Sequence, residues 1–372
     1  MPQWKKVIFF AVPWILAGGS VELATRLAYN APQVSRQLYA PTMSEPDPSR
    51  IWRYKANYFQ KLESAEFSIE VQTGDWQLRD DDPVGTADVR ILAVGDSFTF
   101  GWGVQEENRY SEMLEKLLAE RLPGKTVKVL NAGHWMSTFD QHLLVIKELV
   151  PRFEPHLVLH GVYGGHVITI DEHSWVTDRR GDIRQVKFVG FQNEIVVRED
   201  GALQRTNRLI ESPPFKSRFL AKVLQRYYRW KQLRDVQISA VALLDPNDDS
   251  LDDAWRKTRE AIRQSAMFLD EKSIPYVVFH IPAGMEVSDG EWREGDRRAS
   301  EGLEVDPDLT ERKFADIVTD TAATWTPLLG AFRDSYDPSL YFPQDPHWTP
   351  AGHELAAQNL LPSVLEALRD DR

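Results

Sequence analysis

The chain has 372 residues, 42% hydrophobic and 27% charged, which is ample for a large core and is the composition of an ordinary globular protein. The 56 acidic residues outnumber the 44 basic ones, and the net charge of −12 argues against generic binding to nucleic acid or to an anionic surface. With no cysteine, disulfides, thiol catalysis and thiolate metal sites are excluded.

In chain order, Lys5 and Lys6 precede VIFFAVPWILAGG, a charge-free run from Val7 to Gly19. A basic start and an apolar middle have the shape of a signal sequence, and no small-x-small cleavage site follows. The run is shorter than the ~20 residues of a spanning helix, but SVELATRLAYN can prolong it by snorkelling. Paired lysines before it, with only Arg26 soon after, place the N-terminus in the cytoplasm. Residues 1–30 are therefore expected to form an uncleaved, single-pass signal-anchor, with the bulk of the chain outside the cytoplasm, periplasmic or extracellular. An ordinary buried helix is the alternative.

Residues 31–63, containing APTMSEPDPSR, read as a linker to a domain spanning residues 64–372. AEFSIEVQ (65–72) alternates as an edge strand does. A βα series then begins: RILAVGD is a buried strand, YSEMLEKLLAERL (110–122) an amphipathic helix, VKVLNAG (127–133) a strand, FDQHLLVIKELV (139–150) a helix and HLVLHGVY (156–163) a third strand. A helix from about 251 to 271 precedes PYVVFHIP (275–282), a fourth strand, and AGHELAAQNLLPSVLEAL closes the chain as a helix. Alternating strands and helices imply a parallel sheet covered on both faces, with function at the carboxyl ends of the strands. Residues 172–245 break this rhythm and read as an insertion. Within it KFVGFQNEIVVREDGALQRTN suggests a hairpin turning at Asp200-Gly201, and PFKSRFLAKVLQRYYRWKQLR a basic amphipathic helix, either a solvated face or a contact for an anionic glycan or headgroups.

Ser97, in ILAVGDSFTFGWGV, stands where a buried strand ends. It is either a helix N-cap or a nucleophile placed within reach of a base. Gly95-Asp96-Ser97-Phe98-Thr99 lacks the second glycine of the G-x-S-x-G elbow. Near the C-terminus, YFPQDPHWTPAGH places Asp345 and His347 two apart across Pro346, whose geometry lets both side chains project to one side. An acid so placed can hold an imidazole in the tautomer that accepts a serine proton. Thr349 and Pro350 supply the cap and first turn of the last helix. Trp102, Trp135 and Trp348 each follow a motif, as core or as an aromatic wall. His134, His142, His156, His160, His173 and His280 show no metal-ligand spacing, and no metal or cofactor is expected.

GDSFTFGWGV, NAG and DPHWTPAGH, in this order, resemble the GDSL/SGNH hydrolase family, particularly its bacterial membrane-anchored members. The likeness extends to DWQLRDDD before the first strand and to VREDGALQRTN. It implies a flavodoxin-like three-layer α/β/α sandwich and ester hydrolysis or acyl transfer. Ser97 matches the nucleophile, Asp345 the orienting acid and His347 the base. Ser97 and Gly133 match backbone N–H donors of the oxyanion hole. The asparagine that the family usually adds to that hole is missing from HGVYGGHVITID, and His166 is the candidate to replace it, since imidazole N–H is a competent donor. The resemblance thus implies a membrane-tethered serine esterase or O-acyltransferase acting on a small-molecule or carbohydrate ester, with a catalytically weakened, polysaccharide-binding or assembly domain as the alternative.

Overall fold

The computed structural model describes residues 42–80, 87–188, 241–292 and 294–370, with positions 20–21, 38–39, 194–197, 199, 201, 203–206, 219 and 223 between them. The expected signal-anchor and the basic helix at 215–234 lie outside the described residues but for isolated positions. Among the described residues no helix is long and apolar enough to cross a membrane.

Five parallel strands form the central sheet, in the order Thr324–Thr326, Tyr276–Ile281, Leu157–Tyr163, Val89–Gly95 and Val127–Gly133. Successive side chains of a strand point to opposite faces, and each face here builds its own core. Leu92, Val94, Leu130, Val158 and Val278 pack on one side with Leu149 of helix Phe139–Phe153, Ile262 of Asp252–Asp270 and Phe314 of Leu309–Thr319. Ile91, Ala93, Val129, Leu159 and Val277 pack on the other with Leu114 of Tyr110–Arg121 and Leu360 of Pro350–Asp370. The result is the expected α/β/α sandwich. Its fifth strand, Thr324–Thr326, has only three residues, too few for a periodic pattern to show in the sequence.

The linker expected at 31–63 is corrected wherever it falls within the described residues. Ser44–Asp47 pairs antiparallel with Ile51–Tyr54, and Phe59–Glu63 with Ser68–Gln72. Trp52 and Tyr54 are 1% exposed, and Met43, Leu62, Ile69 and Val71 form a satellite core with Phe100. Burying side chains of this size contributes roughly 1.5–3 kcal/mol each, which a solvated linker forgoes. The strand foreseen at 65–72 is thus half of a separate hairpin, outside the main sheet.

In the inserted region His173–Thr177 pairs with Ile183–Phe188, and Glu194–Val197 with Leu203–Thr206. The second pair is the expected hairpin, although Lys187 and Phe188 belong to the preceding one. At its turn Gly201 has φ +88°, and a Cβ there would lie 2.4 Å from the Thr42 carbonyl oxygen. Only glycine meets both demands.

Candidate active site

The buried strand Val89–Gly95 delivers Asp96 and Ser97 to the carboxyl edge of the sheet, and a one-turn helix, Ser97–Phe100, begins at once. Asp96, not Ser97, is its N-cap: Asp96 Oδ1 accepts the Phe98 N–H at 2.9 Å. The serine hydroxyl is thereby released from capping. Gly101, at φ +80°, closes the turn, and its N–H returns to the Ser97 carbonyl at 3.0 Å.

The second half of the site is the loop between Tyr341 and Trp348, whose ends pair in an antiparallel bridge and are buried. Asp345 and His347 lie within it. His347 Nε2 is 2.7 Å from Ser97 Oγ, and Nδ1–H donates to Asp345 Oδ1. The His347 backbone N–H donates to the same oxygen at 3.1 Å, and the Trp102 indole N–H to Oδ2 at 2.9 Å. Burial raises the Asp345 carboxyl pKa, but the hydrogen bonds from His347 and Trp102 and the attraction of the imidazole outweigh it and hold the group below the usual carboxylate range. The Phe98 ring, with its centroid 4.6 Å from that of His347, packs against the imidazole. Three residues separated by up to 250 positions thus meet in the order serine, histidine, aspartate.

The two remaining candidates fall differently. The Gly133 N–H donates to Asn131 Oδ1 at 3.0 Å, so it is committed within the fold and is not an open oxyanion donor. Glycine is required there for another reason: a Cβ would sit 2.1 Å from the Phe100 nitrogen, where the strand end packs on helix Ser97–Phe100. Asn131 Nδ2 ties the same region together, donating to the Thr99 carbonyl at 2.6 Å and to Ser111 Oγ at 2.7 Å. His166, on the short helix Gly165–Ile170, has Nε2 2.8 Å from Asp96 Oδ2. Its ring stands against the capping acid beside Ser97, a partner that spacing in the sequence did not reveal.

Of the tryptophans, Trp102 belongs to the site through Asp345 and stacks on Trp135 at 5.0 Å. Trp348 is fully buried against Phe98 and Phe332, and is core. The Thr349 hydroxyl donates to the Ser339 carbonyl, and the Thr349 carbonyl accepts the His353 N–H of the last helix at 3.0 Å. Among the described residues one carboxylate group has metal-ligand spacing: Asp80, Glu106 and Glu112. Lys128 holds Asp80 at 2.9 Å and Arg109 holds Glu112 through two bonds, so protein cations already neutralise it.

Fold and site together define an α/β protein with a Ser-His-Asp constellation at the carboxyl end of its sheet. No protein-family model and no curated protein matches the sequence. Among solved structures the chain is similar to a psychrotrophic esterase, EstA, from Pseudoalteromonas sp., at 14% identity and a TM-score of 0.39, covering 76% of this chain and 100% of that one. It is similar also to an acetyl-xylooligosaccharide esterase from Geobacillus Stearmophilus, in a variant form, at 13% identity and TM-score 0.39, covering 75% of this chain and 94% of that one. A third is a lipase/acylhydrolase from Enterococcus faecalis, at 11% identity and TM-score 0.39, covering 74% and 95% respectively.

Proposed function

We propose that this chain is an SGNH-type serine ester hydrolase or O-acyltransferase that works through a covalent acyl-enzyme. The observation that carries the reading is the 2.7 Å approach of His347 Nε2 to Ser97 Oγ, with Asp345 on the opposite ring nitrogen. Ser97 Oγ attacks the ester carbonyl carbon while its proton passes to His347 Nε2. Asp345 stabilises the imidazolium, which returns the proton to the departing alkoxide as the carbon–oxygen bond breaks. Water or a sugar hydroxyl, deprotonated by the same imidazole, then attacks the acyl-serine and regenerates Ser97.

The oxyanion requires donors. The Ser97 N–H, at the first helical position, is the donor retained from the expected pair, and with His166 Nε2 facing Asp96, only a proton on Nδ1 lets that ring donate. The basic, then apolar, first nineteen residues support a membrane-tethered, extracytoplasmic placement. In that compartment the substrate class is an acylated cell-surface carbohydrate.

Committal of the Gly133 N–H to Asn131 favours a second reading, a weakened domain that binds polysaccharide or assists its assembly. Hydrolysis of a chromogenic short-chain acetate by the full-length protein separates the two. The enzyme reading expects Ser97→Ala to lower turnover on the order of 10⁵-fold; equal rates for the two proteins sink it. A burst followed by slow turnover, accelerated by added glycan, identifies the transferase.

A further inference from the structure

The segment from Ser44 to Asp80, which precedes the sheet, sends a polar side chain to the backbone of each of the three loops that carry the site. Tyr54 Oη accepts the Trp135 N–H at 2.6 Å, and its ring stacks on His134. Arg79 donates to the carbonyls of Phe100 at 3.0 Å, Gly101 at 2.6 Å and Val104 at 2.8 Å, immediately beyond the nucleophile. Glu66, at the tip of the hairpin Phe59–Glu63/Ser68–Gln72, accepts the N–H groups of Gln344 at 2.8 Å and Asp345 at 3.0 Å. Phe67, next to it, packs between Trp102 and Phe342.

These loops lie past the ends of the strands, where no neighbouring strand is available to take their backbone groups. Side chains from another part of the chain supply the partners instead. We propose that this segment is a positioning frame for the triad and that Glu66 is the positioning residue that sets the acid loop, an inference resting on the triad reading above. Its two bonds fix the two successive peptide units that lead into Asp345, and the Asp345 carboxylate in turn fixes the imidazole that faces Ser97. Neither Glu66 oxygen touches the reacting atoms. Its effect is on how often the imidazole stands where it can take the serine proton, so it acts on kcat. Glu63, on the same hairpin, pairs with Lys61 at the surface and serves as the control.

The test uses full-length protein and the chromogenic acetate. Glu66→Ala is expected to lower kcat about 10- to 100-fold, the cost of a roughly 1 Å misplacement of a catalytic group, with KM within about twofold. The downfield proton resonance of His347 Nδ1–H should broaden or disappear. Glu66→Gln, which keeps one acceptor oxygen, should recover most of the rate, and Glu63→Ala should retain all of it. Wild-type kcat and an intact resonance in Glu66→Ala, with Ser97→Ala inactive, overturn the frame while leaving the triad standing. Equal losses in Glu66→Ala and Glu63→Ala also overturn it, because they reduce the hairpin to a general stabiliser. Activity that survives Ser97→Ala removes the triad reading itself.

Discussion

Among the described residues, two Asp–His pairs have an acid that also accepts an indole N–H. At the mouth of the sheet, Asp345 takes His347 Nδ1–H and the Trp102 indole. In the first turn of helix Phe139–Phe153, Asp140 lies 2.9 Å from His173 Nδ1 and accepts the Trp175 indole at 2.7 Å. Burial pushes the Asp140 carboxyl up, but His173, Thr138 and Trp175 more than offset it, and both acids are held below their ordinary range. The pairs part in what surrounds them. Asp140 and His173 are essentially sealed, with side chains 0% and 1% exposed, whereas those of Asp345 and His347 are 24% and 15% exposed. Only the second imidazole has Ser97 Oγ at its far nitrogen. A carboxylate–imidazole pair is therefore a device for fixing a ring. Access and the group opposite decide whether the fixed ring does chemistry or holds a fold.

Breaking the two pairs in turn is expected to produce opposite signatures. Asp345→Asn presents an amide where His347 needs an acceptor, favours the wrong tautomer, and should lower kcat for the acetate on the order of 10⁴-fold with the fold intact. Steady-state kinetics beside a thermal melt measure this. A loss below about tenfold means that Asp345 does not orient the base. Asp140→Ala should do the reverse. It removes one partner of a buried pair and should cost about 3–5 kcal/mol of unfolding free energy in a denaturant titration, with kcat per folded molecule unchanged. A fall in kcat at unchanged stability would erase the distinction between the pairs.

The Asp345–His347 pair could be read in the sequence because its members are local. Asp345 and His347 are two residues apart, and Ser97 closely follows a nearly unbroken run of buried strand residues. The oxyanion assignments were less accessible, since whether a backbone N–H is free depends on its neighbours. Asn131, two residues before Gly133, takes that N–H, and Asp96 faces His166 across 70 positions. The frame was hidden more deeply. SEPDPSR has the prolines and serines of a linker, and the alternation of Trp52 and Tyr54 in IWRY is too brief to offset them. Glu66 and Arg79 reach main-chain atoms, which carry no mark in a sequence. Side chain-to-backbone bonds over long separations were where local reasoning stopped.

A third set of imidazoles extends the comparison with a smaller effect. His134, His160 and His353 are fully buried, and burial pulls each down to about 3, with Arg50 adding to the effect at His134 and His347, Arg109 and Arg79 at His353. Burial and the neighbouring His160 hold His142 low as well. Two of these rings are joined directly: His142 Nδ1 is 2.9 Å from His160 Nε2, and His142 Nε2 is 2.7 Å from Ser137 Oγ, whose hydroxyl donates to the His134 backbone carbonyl. Between pH about 6.5 and 3 the unfolded chain binds protons at these positions and the folded chain does not. Unfolding there takes up protons, so stability rises with pH through the window. The contribution is complete above the unfolded value and is lost progressively as pH falls towards the folded one. From pH 7 to pH 6 the three groups shifted to about 3 should together remove stability on the order of 2 kcal/mol. Asp345 and Asp140, with lowered carboxyl values, lose their contributions only in far more acidic solution and add nothing to this interval. Urea unfolding at the two pH values measures the difference directly. Stability that is flat or greater at pH 6 would mean that these rings gain protons inside the fold, and the contrast between imidazoles held by acids and imidazoles kept neutral by burial would then collapse.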